Sequence, residues 1–515
     1  MTHIFGKVII TPSEKRKPSF AGSWYESNPQ KLGAQLAGFL QSAQERTKAR
    51  PCDMSFTDNT PVEGKMLAGI APHAGYMFSG PTAAFVYDAL RGRKISRVFL
   101  LGPSHYVALH GMALPVERAF LTPLGEIKVD QDVIKQLQDF PLFRLAPEIH
   151  RREHSLELQL PLIKQALGNV QIVPIIVGTL QDPQEMRLAG QILKRFVDND
   201  DIVLVSSDFT HYGPRYDYVP FKEDAPRHVR ELDEQAFAAL RNCDLERFIA
   251  FREATRDTIC GFYPACLLLS MLPEGTQASL LNYQTSRDIV ETPDDNSVSY
   301  LAIVFSNKRE EEGDWHCSRL DDQELSSEEK EALLTLTRHA LHTYVKHGDV
   351  ASAKETMANY PRLRRYSGAF VTLYRRPIGV DNPTRKDKDL RGCIGYIWPI
   401  KPLAEAVIDN VIGACSRDPR FVPVQEAELD GLQIDINVLT APRAVKSSQE
   451  IEVGRDGVIL YKNGKQAVFL PDVATEFAWS REELLTQLSL KAGCGKDGWQ
   501  NNARFDVFQS QSFED

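Results

Sequence analysis

Up to about residue 306 the chain alternates short, β-branched apolar runs with stretches whose apolar residues recur at helical spacing. The runs are Lys65 to Ile70, Arg97 to Leu101, Val170 to Val177, Asp201 to Val205, Ala278 to Tyr283 and Ser297 to Phe305. Leu32, Leu36, Phe39 and Leu40 are an example of the helical spacing. This alternation predicts βα units on a largely parallel sheet, one α/β domain over residues 1–306. Residues 307–325, NKREEEGDWHCSRLDDQEL, then lose the hydrophobic period and become charged, the composition of a linker. At 326 a new unit begins. Ser326 ahead of Glu329 makes a capping box, and Leu333, Leu336, Ala340 and Tyr344 repeat on one face of the helix it opens. Strands over Ala369 to Tyr374, Leu432 to Leu439 and Gly457 to Tyr461 are mixed with helical stretches, which predicts an α+β domain over 326–515. No internal repeat breaks this two-domain pattern.

Composition narrows the class. A length of 515 residues exceeds what one hydrophobic core spans, in keeping with two domains. No run approaches the roughly 18 apolar residues that cross a bilayer, so no membrane is expected as a partner. A net charge of −9 argues against a nonspecific nucleic-acid binder, which needs a basic face. The N-terminal basic cluster follows its apolar patch, the reverse of a secretory signal, and the eight cysteines form no CxxC pair. The expectation is a cytoplasmic protein with reduced thiols.

The candidate chemistry sits at the ends of the predicted strands. His73 lies in IAPHAGYMFSG after the first run, His105 in GPSHY after the second, and Asp208 and His211 in SSDFTHYG after the fourth. Ligands of parallel α/β sheets bind beyond the carboxyl ends of the strands, so these turns are expected to converge. His73 and His105 are 32 positions apart, about one βαβ unit, which predicts neighbouring strands. Two histidines with one anionic ligand make a minimal metal site with open positions. The third ligand is Asp208, Glu157 of REHSLELQLP or Cys260 of DTICGFYPA, and spacing does not choose among them.

AGSWY (21–25), APHAGYMFSG (71–80), LGPSHY (101–106), EHSLELQLP (153–161), SSDFTHYG (206–213), TICG (258–261) and LNYQTS (281–286) together resemble the Memo family in order and spacing. That family is similar in fold to the class III extradiol dioxygenases, with a His, His, Cys metal site in place of two histidines and a carboxylate. The resemblance implies His73, His105 and Cys260 as ligands of one transition-metal ion, iron or copper first and zinc as the alternative. It implies Asp208, His211 and His154 as catalytic residues of the same pocket. A cysteine of the animal members falls on Ser79, so no redox role of that thiol is expected.

In the second domain DLRGCIGY (389–396) sets Cys393 between two glycines, with Arg391 and Arg417 as residues that would lower its pKa if adjacent. LRGCIG (390–395), DPRF (418–421), INVLTAP (436–442), FLPDVA (469–474) and KAG (491–493) resemble the AMMECR family, an α+β fold in two lobes. With a radical SAM protein the two families form the AmmeMemoRadiSam set, and the chain resembles its B and A components fused. No CxxxCxxC motif is present, so the resemblance implies a separate radical SAM iron–sulfur partner. The expected function is a metal-dependent oxidoreductase, dioxygenase-like, acting on a small molecule or a partner-held substrate, with Cys393 catalytic in the second domain. A non-catalytic peptide- or ligand-binding module and a zinc hydrolase are the alternatives.

Overall fold

The computed structural model describes residues 15–48, 62, 64–273, 275–290, 296–307, 315, 324–375, 389–445, 447–462, 464–500 and 502–515. The chain divides into two compact units, Met1–Cys317 and Ser318–Asp515. Most of the expected linker, 307–325, lies outside the described residues.

The strands of the first unit are β1 (Lys65–Ala71), β2 (Arg97–Pro103), β3 (Met112–Leu114), β4 (Ala119–Thr122), β5 (Gly125–Lys128), β6 (Phe143–Leu145), β7 (Gln171–Val177), β8 (Asp201–Ser206), β9 (His211–Tyr212), β10 (Gln277–Thr285) and β11 (Ser297–Asn307). Its main sheet runs β10-β11-β1-β8-β2-β7-β3-β6, with β9 paired to β11. The four central strands β1, β8, β2 and β7 are mutually parallel. These strands are buried along almost their whole length, which is why they read as continuous apolar runs with little alternation.

Two features depart from the sequence expectation. β10 and β11 enter antiparallel to each other, and β11 antiparallel to β1, at the sheet edge, and among the described residues their connection holds only the single helical turn Ser286–Asp288. A short apolar run carries no information on strand direction; only the length of the connection does. The strands bearing His73 and His105 are also not neighbours, because β8 inserts between β1 and β2.

The second unit holds β12 (Gly368–Arg375), β13 (Asp389–Tyr396), β14 (Leu432–Leu439), β15 (Arg443–Val445), β16 (Gly457–Lys462), β17 (Lys465–Phe469), β18 (Arg504–Phe508) and β19 (Ser510–Glu514). They form two antiparallel sheets, β13-β12-β14-β19 and β15-β18-β16-β17. Each sheet has its own apolar core. Val371, Leu373, Ile434 and Ile436 pack with Val407 and Val411 of the helix Leu403–Ser416 in one, and Val458, Leu460 and Val507 pack with Leu484 and Leu488 in the other. The helix Ser327–His347 begins at the expected capping box, with Ser326 and Glu329 each accepting the other's backbone N–H. It stops at Gly348, whose φ of 76° is the left-handed conformation that glycine takes without a Cβ clash.

Candidate metal centre

Three parallel strands that lie side by side each deliver a polar residue two positions beyond their carboxyl end: His73 after β1, Asp208 after β8, His105 after β2. Cys260 arrives from the turn before the helix Phe262–Met271, and His154 opens the helix His154–Glu157. The ligand atoms of His73, His105 and Cys260 lie within 4.8 Å of one another. The His73 and His105 ring centroids are 5.1 Å apart, and Cys260 Sγ is 3.3 Å from His73 Nε2.

The hydrogen bonds around the rings determine which nitrogen faces the thiol. Ser206 Oγ donates to Ser155 O at 2.5 Å and accepts from Gln159 Nε2 at 2.8 Å. Its single proton being spent, it receives His73 Nδ1–H at 2.9 Å, which leaves the Nε2 lone pair pointing at Cys260. His105 Nδ1 donates to Glu153 Oε1 at 2.8 Å, and the other oxygen of that carboxylate accepts His105 N–H at 2.7 Å. Nε2 of His105 is again the ring nitrogen left for a ligand. A carboxylate or hydroxyl behind the imidazole is the usual support of a metal-binding histidine.

Burial keeps the candidate ligands His73 and Cys260 uncharged at pH 7. Burial, followed by the neighbouring His105 and His154, drives His73 well below the ordinary histidine pKa, so it is a neutral base at pH 7. His154 falls to about 4, burial again first and His105 second. Burial raises the Cys260 thiol, with the Asp208 charge adding to it, so the uncoordinated group is a thiol and a bound cation is what would hold it as thiolate. Cys260 Sγ also accepts the Asp208 N–H at 3.2 Å. Two imidazoles with free Nε2 and one thiol are a donor set that fits a transition-metal ion.

The remaining expected residues line the same region. Asp208 Oδ1 accepts the backbone N–H of His73 at 2.8 Å, and burial raises its pKa. The His154 ring stacks on His105 with centroids 4.3 Å apart, under Trp24 at 4.5 Å. His211 Nδ1 donates to Thr258 O at 3.2 Å, and burial lowers its pKa. Ser79 donates to Ala74 O from the position before the helix Gly80–Leu90.

Glu157 is removed from the ligand candidates. It is fully buried against Arg16 Nη1 at 2.7 Å, the amides of Ser19 and Phe20, and the Tyr25 hydroxyl. Its work is to hold the segment that brings Trp24 over His154. Glu153, Ser206 and Gln159 are the contributors that sequence reasoning missed. Glu153 sits beside His154 in the quoted motif, and that adjacency was the signal available.

Behind His211 lies a buried acid pair. Thr210 Oγ1 is 2.7 Å from Asp233 Oδ1 and 2.8 Å from Asp257 Oδ2, and Tyr283 donates to Asp233 Oδ2 at 3.0 Å. One threonine proton cannot serve two ionised carboxylates, so one of the pair carries a proton. Burial, with the Asp257 charge second, raises Asp233 to about 7.

In the second unit Cys393 lies on β13, its N–H donated to Asp418 Oδ2 at 2.9 Å and its sulfur accepting from Thr372 Oγ1 at 3.3 Å. The arginines expected beside it are committed elsewhere, Arg391 to Glu428 and Arg417 to Asp409. Arg420 and Lys491 are the cations electrostatically coupled to the sulfur. Both glycines of the motif answer to packing. A Cβ at Gly392 would stand 2.1 Å from Ala414 O, and one at Gly395 2.3 Å from the Phe370 ring.

A family model described as Memo-like protein matches residues 16–304, more than half of the chain, and one described as AMMECR1 matches residues 334–513. The chain is 34% identical over 301 residues to Protein MEMO1 of Xenopus laevis, covering 56% of this chain and 96% of that protein. It is 30% identical over 303 residues to the Protein memo-1 homolog of Caenorhabditis elegans, covering 56% of this chain and 82% of that one. A solved structure titled Crystal Structure of Uncharacterized Protein PH0010 From Pyrococcus horikoshii is 36% identical, covers 37% of this chain and 93% of its own, and has a TM-score of 0.34. Among the described residues no helix is long and apolar enough to cross a membrane. With strand order, donor set and family match in agreement over 16–304, the chain belongs to the Memo-like protein family and carries an AMMECR1 domain after its Memo-like domain.

Proposed function

We propose that His73, His105 and Cys260 hold one transition-metal ion and that the protein is a metal-dependent enzyme, redox or dioxygenase-like, acting on a small-molecule or partner-held substrate. The observation that supports it is the commitment of both Nδ1 atoms to Ser206 and Glu153, which leaves two Nε2 lone pairs and one sulfur facing a common point. Imidazole and thiolate ligands suit iron, copper or zinc over magnesium, and iron or copper is our assignment. Such an ion supplies Lewis acidity and, if redox-active, electrons to a ligand in an open position. Access is from the side of His105, whose side chain is 26% exposed while His73 is buried. Asp208 and His211 are the proton-handling groups of the pocket, and His154 orients a ligand from its stack on His105. The resemblance of the two domains to the AmmeMemoRadiSam set supports a separate radical SAM protein as partner.

Metal per chain, measured on anaerobically purified protein, tests this reading. His73→Ala, His105→Ala and Cys260→Ala are each expected to lose most of the metal, and full occupancy in all three would refute the site. Zinc in place of iron or copper would move the reading to hydrolysis, and a metal-free wild type to a binding module.

For Cys393 we propose a reactive thiol, supported by the two cations coupled to its sulfur and by a motif whose glycines packing already explains. Limited thiol labelling is expected to modify Cys393 well before Cys415 and Cys243, whose thiols burial pushes up to about 11 and about 12. Equal rates would return LRGCIG to architecture.

A further inference from the structure

A cleft of about 660 Å³ opens on the far side of β9 from the metal centre, with Tyr212 on its wall while the preceding His211 faces the metal pocket. Among the described residues four arginines line it, Arg46, Arg227, Arg230 and Arg287, against one carboxylate, Asp288. In a chain of net charge −9 this is a concentrated reversal of sign.

The four arginines are placed by three elements. Arg46 comes from the last turn of the helix Pro29–Lys48, steadied by the face of Phe85 at 5.3 Å and by the neutral Asn282 Oδ1 at 3.3 Å. Among the described residues no carboxylate pairs with it. Arg287 follows β10 and donates to Asn296 O at 3.3 Å. Arg227 and Arg230 belong to the first turns of the helix Ala225–Arg241, where they share exposed ion pairs with Asp224, Glu231 and Glu234. Exposed pairs of that kind contribute little and yield to a better anion. The start of the same helix, Ala225 and Pro226, also lines the cleft, and Asp224 before it gives no side-chain cap. The positive end of a 17-residue helix dipole therefore adds to the guanidinium charges.

We propose that this cleft binds a phosphate-bearing small molecule, separately from the metal centre. Guanidinium forks match phosphate oxygens in pairs, and arginines on three elements would grip more than one oxyanion, so a diphosphate is the ligand class of choice. The volume leaves room for an organic group beside it, within the size range of small-molecule sites. Tyr283 ties the cleft floor to the interior, because its hydroxyl donates to Asp233 of the buried acid pair behind His211.

The test is calorimetric titration of the full chain with inorganic pyrophosphate at fixed ionic strength, without added divalent cation. One saturable site is expected, weakened at least tenfold in Arg46→Gln/Arg287→Gln and, as a second pair on a different element, in Arg227→Gln/Arg230→Gln. Arg241→Gln, at the opposite end of the same helix, is expected to bind like wild type. The metal-site variant His105→Ala is also expected to bind like wild type, which separates this cleft from anion capture by a bound metal. No saturable binding, wild-type affinity retained in either double variant, or loss in His105→Ala would each overturn the proposal.

Discussion

At the scale of single residues, what supports the proposed metal centre is the group behind each histidine. Glu153 uses one carboxylate on the backbone and the ring of His105 at once, and takes the Ser155 N–H as well. Burial works against its charge, but the His105 contacts prevail and hold its pKa below the usual glutamate range. Glu153→Gln keeps the shape and removes the charge that fixes the His105 tautomer. Metal affinity, read by competition with a chelator, is expected to fall about 10- to 100-fold while the unfolding midpoint moves little. His73 and His105 stood out as candidates because their motifs are local, whereas Cys260 was singled out from Asp208 and Glu157 only by the family resemblance. Glu153 and Ser206 did not stand out, because their roles depend on partners 48 and 133 positions away. Glu157 shows the converse: as a carboxylate in the right motif it was a candidate ligand, and only the arrival of Arg16 from 141 positions away shows what it does.

At the scale of elements, the nine apolar runs read as strands lie within about two residues of β1, β2, β7, β8, β10, β11, β12, β14 and β16, but the runs gave neither direction nor order and missed short strands such as β3 to β6. The antiparallel entry of β10 and β11 and the insertion of β8 between β1 and β2 follow from connections and packing, which no window of sequence contains. Between elements, the turn 208–211 and the turn 257–260 are joined by the shared proton of Asp233 and Asp257 through Thr210. Asp233 takes up a proton on folding: its pKa rises from 3.8 to about 7. The folded state therefore binds more protons than the unfolded one between these values, and stability falls as pH rises from about 4 to about 7, then levels. Denaturant melts of the first domain's transition across pH 4.5 to 8 are expected to show this decline, and Asp233→Asn to flatten it. A wild-type curve rising over that interval would show that other groups dominate.

At the scale of the whole molecule, the change from periodic to charged sequence at 307–325 and the two compact units suggest domains that fold alone. Residues 1–306 and 326–515, expressed separately, are each expected to unfold cooperatively at temperatures close to the matching transition of the full chain. Aggregation of either fragment would mean that the two share stabilising surface. The two-lobed form of the second domain was legible through its family resemblance alone, since its strands are short and their pairing partners distant.

That distance has a consequence for synthesis. The described sheet strands of the Memo-like domain lie between Lys65 and Asn307, so its core can assemble, and the three proposed ligands can meet, while later residues are still being added. The AMMECR1 domain has no such order. Its first sheet waits for β19, at Ser510–Glu514, to pair with β14, and its second needs β18 at Arg504–Phe508, immediately before. Neither lobe can finish ahead of the other, and the exposed edge of β14 must be carried for some 70 residues until its partner emerges, the interval in which a nascent chain is most open to wrong pairings and to chaperones.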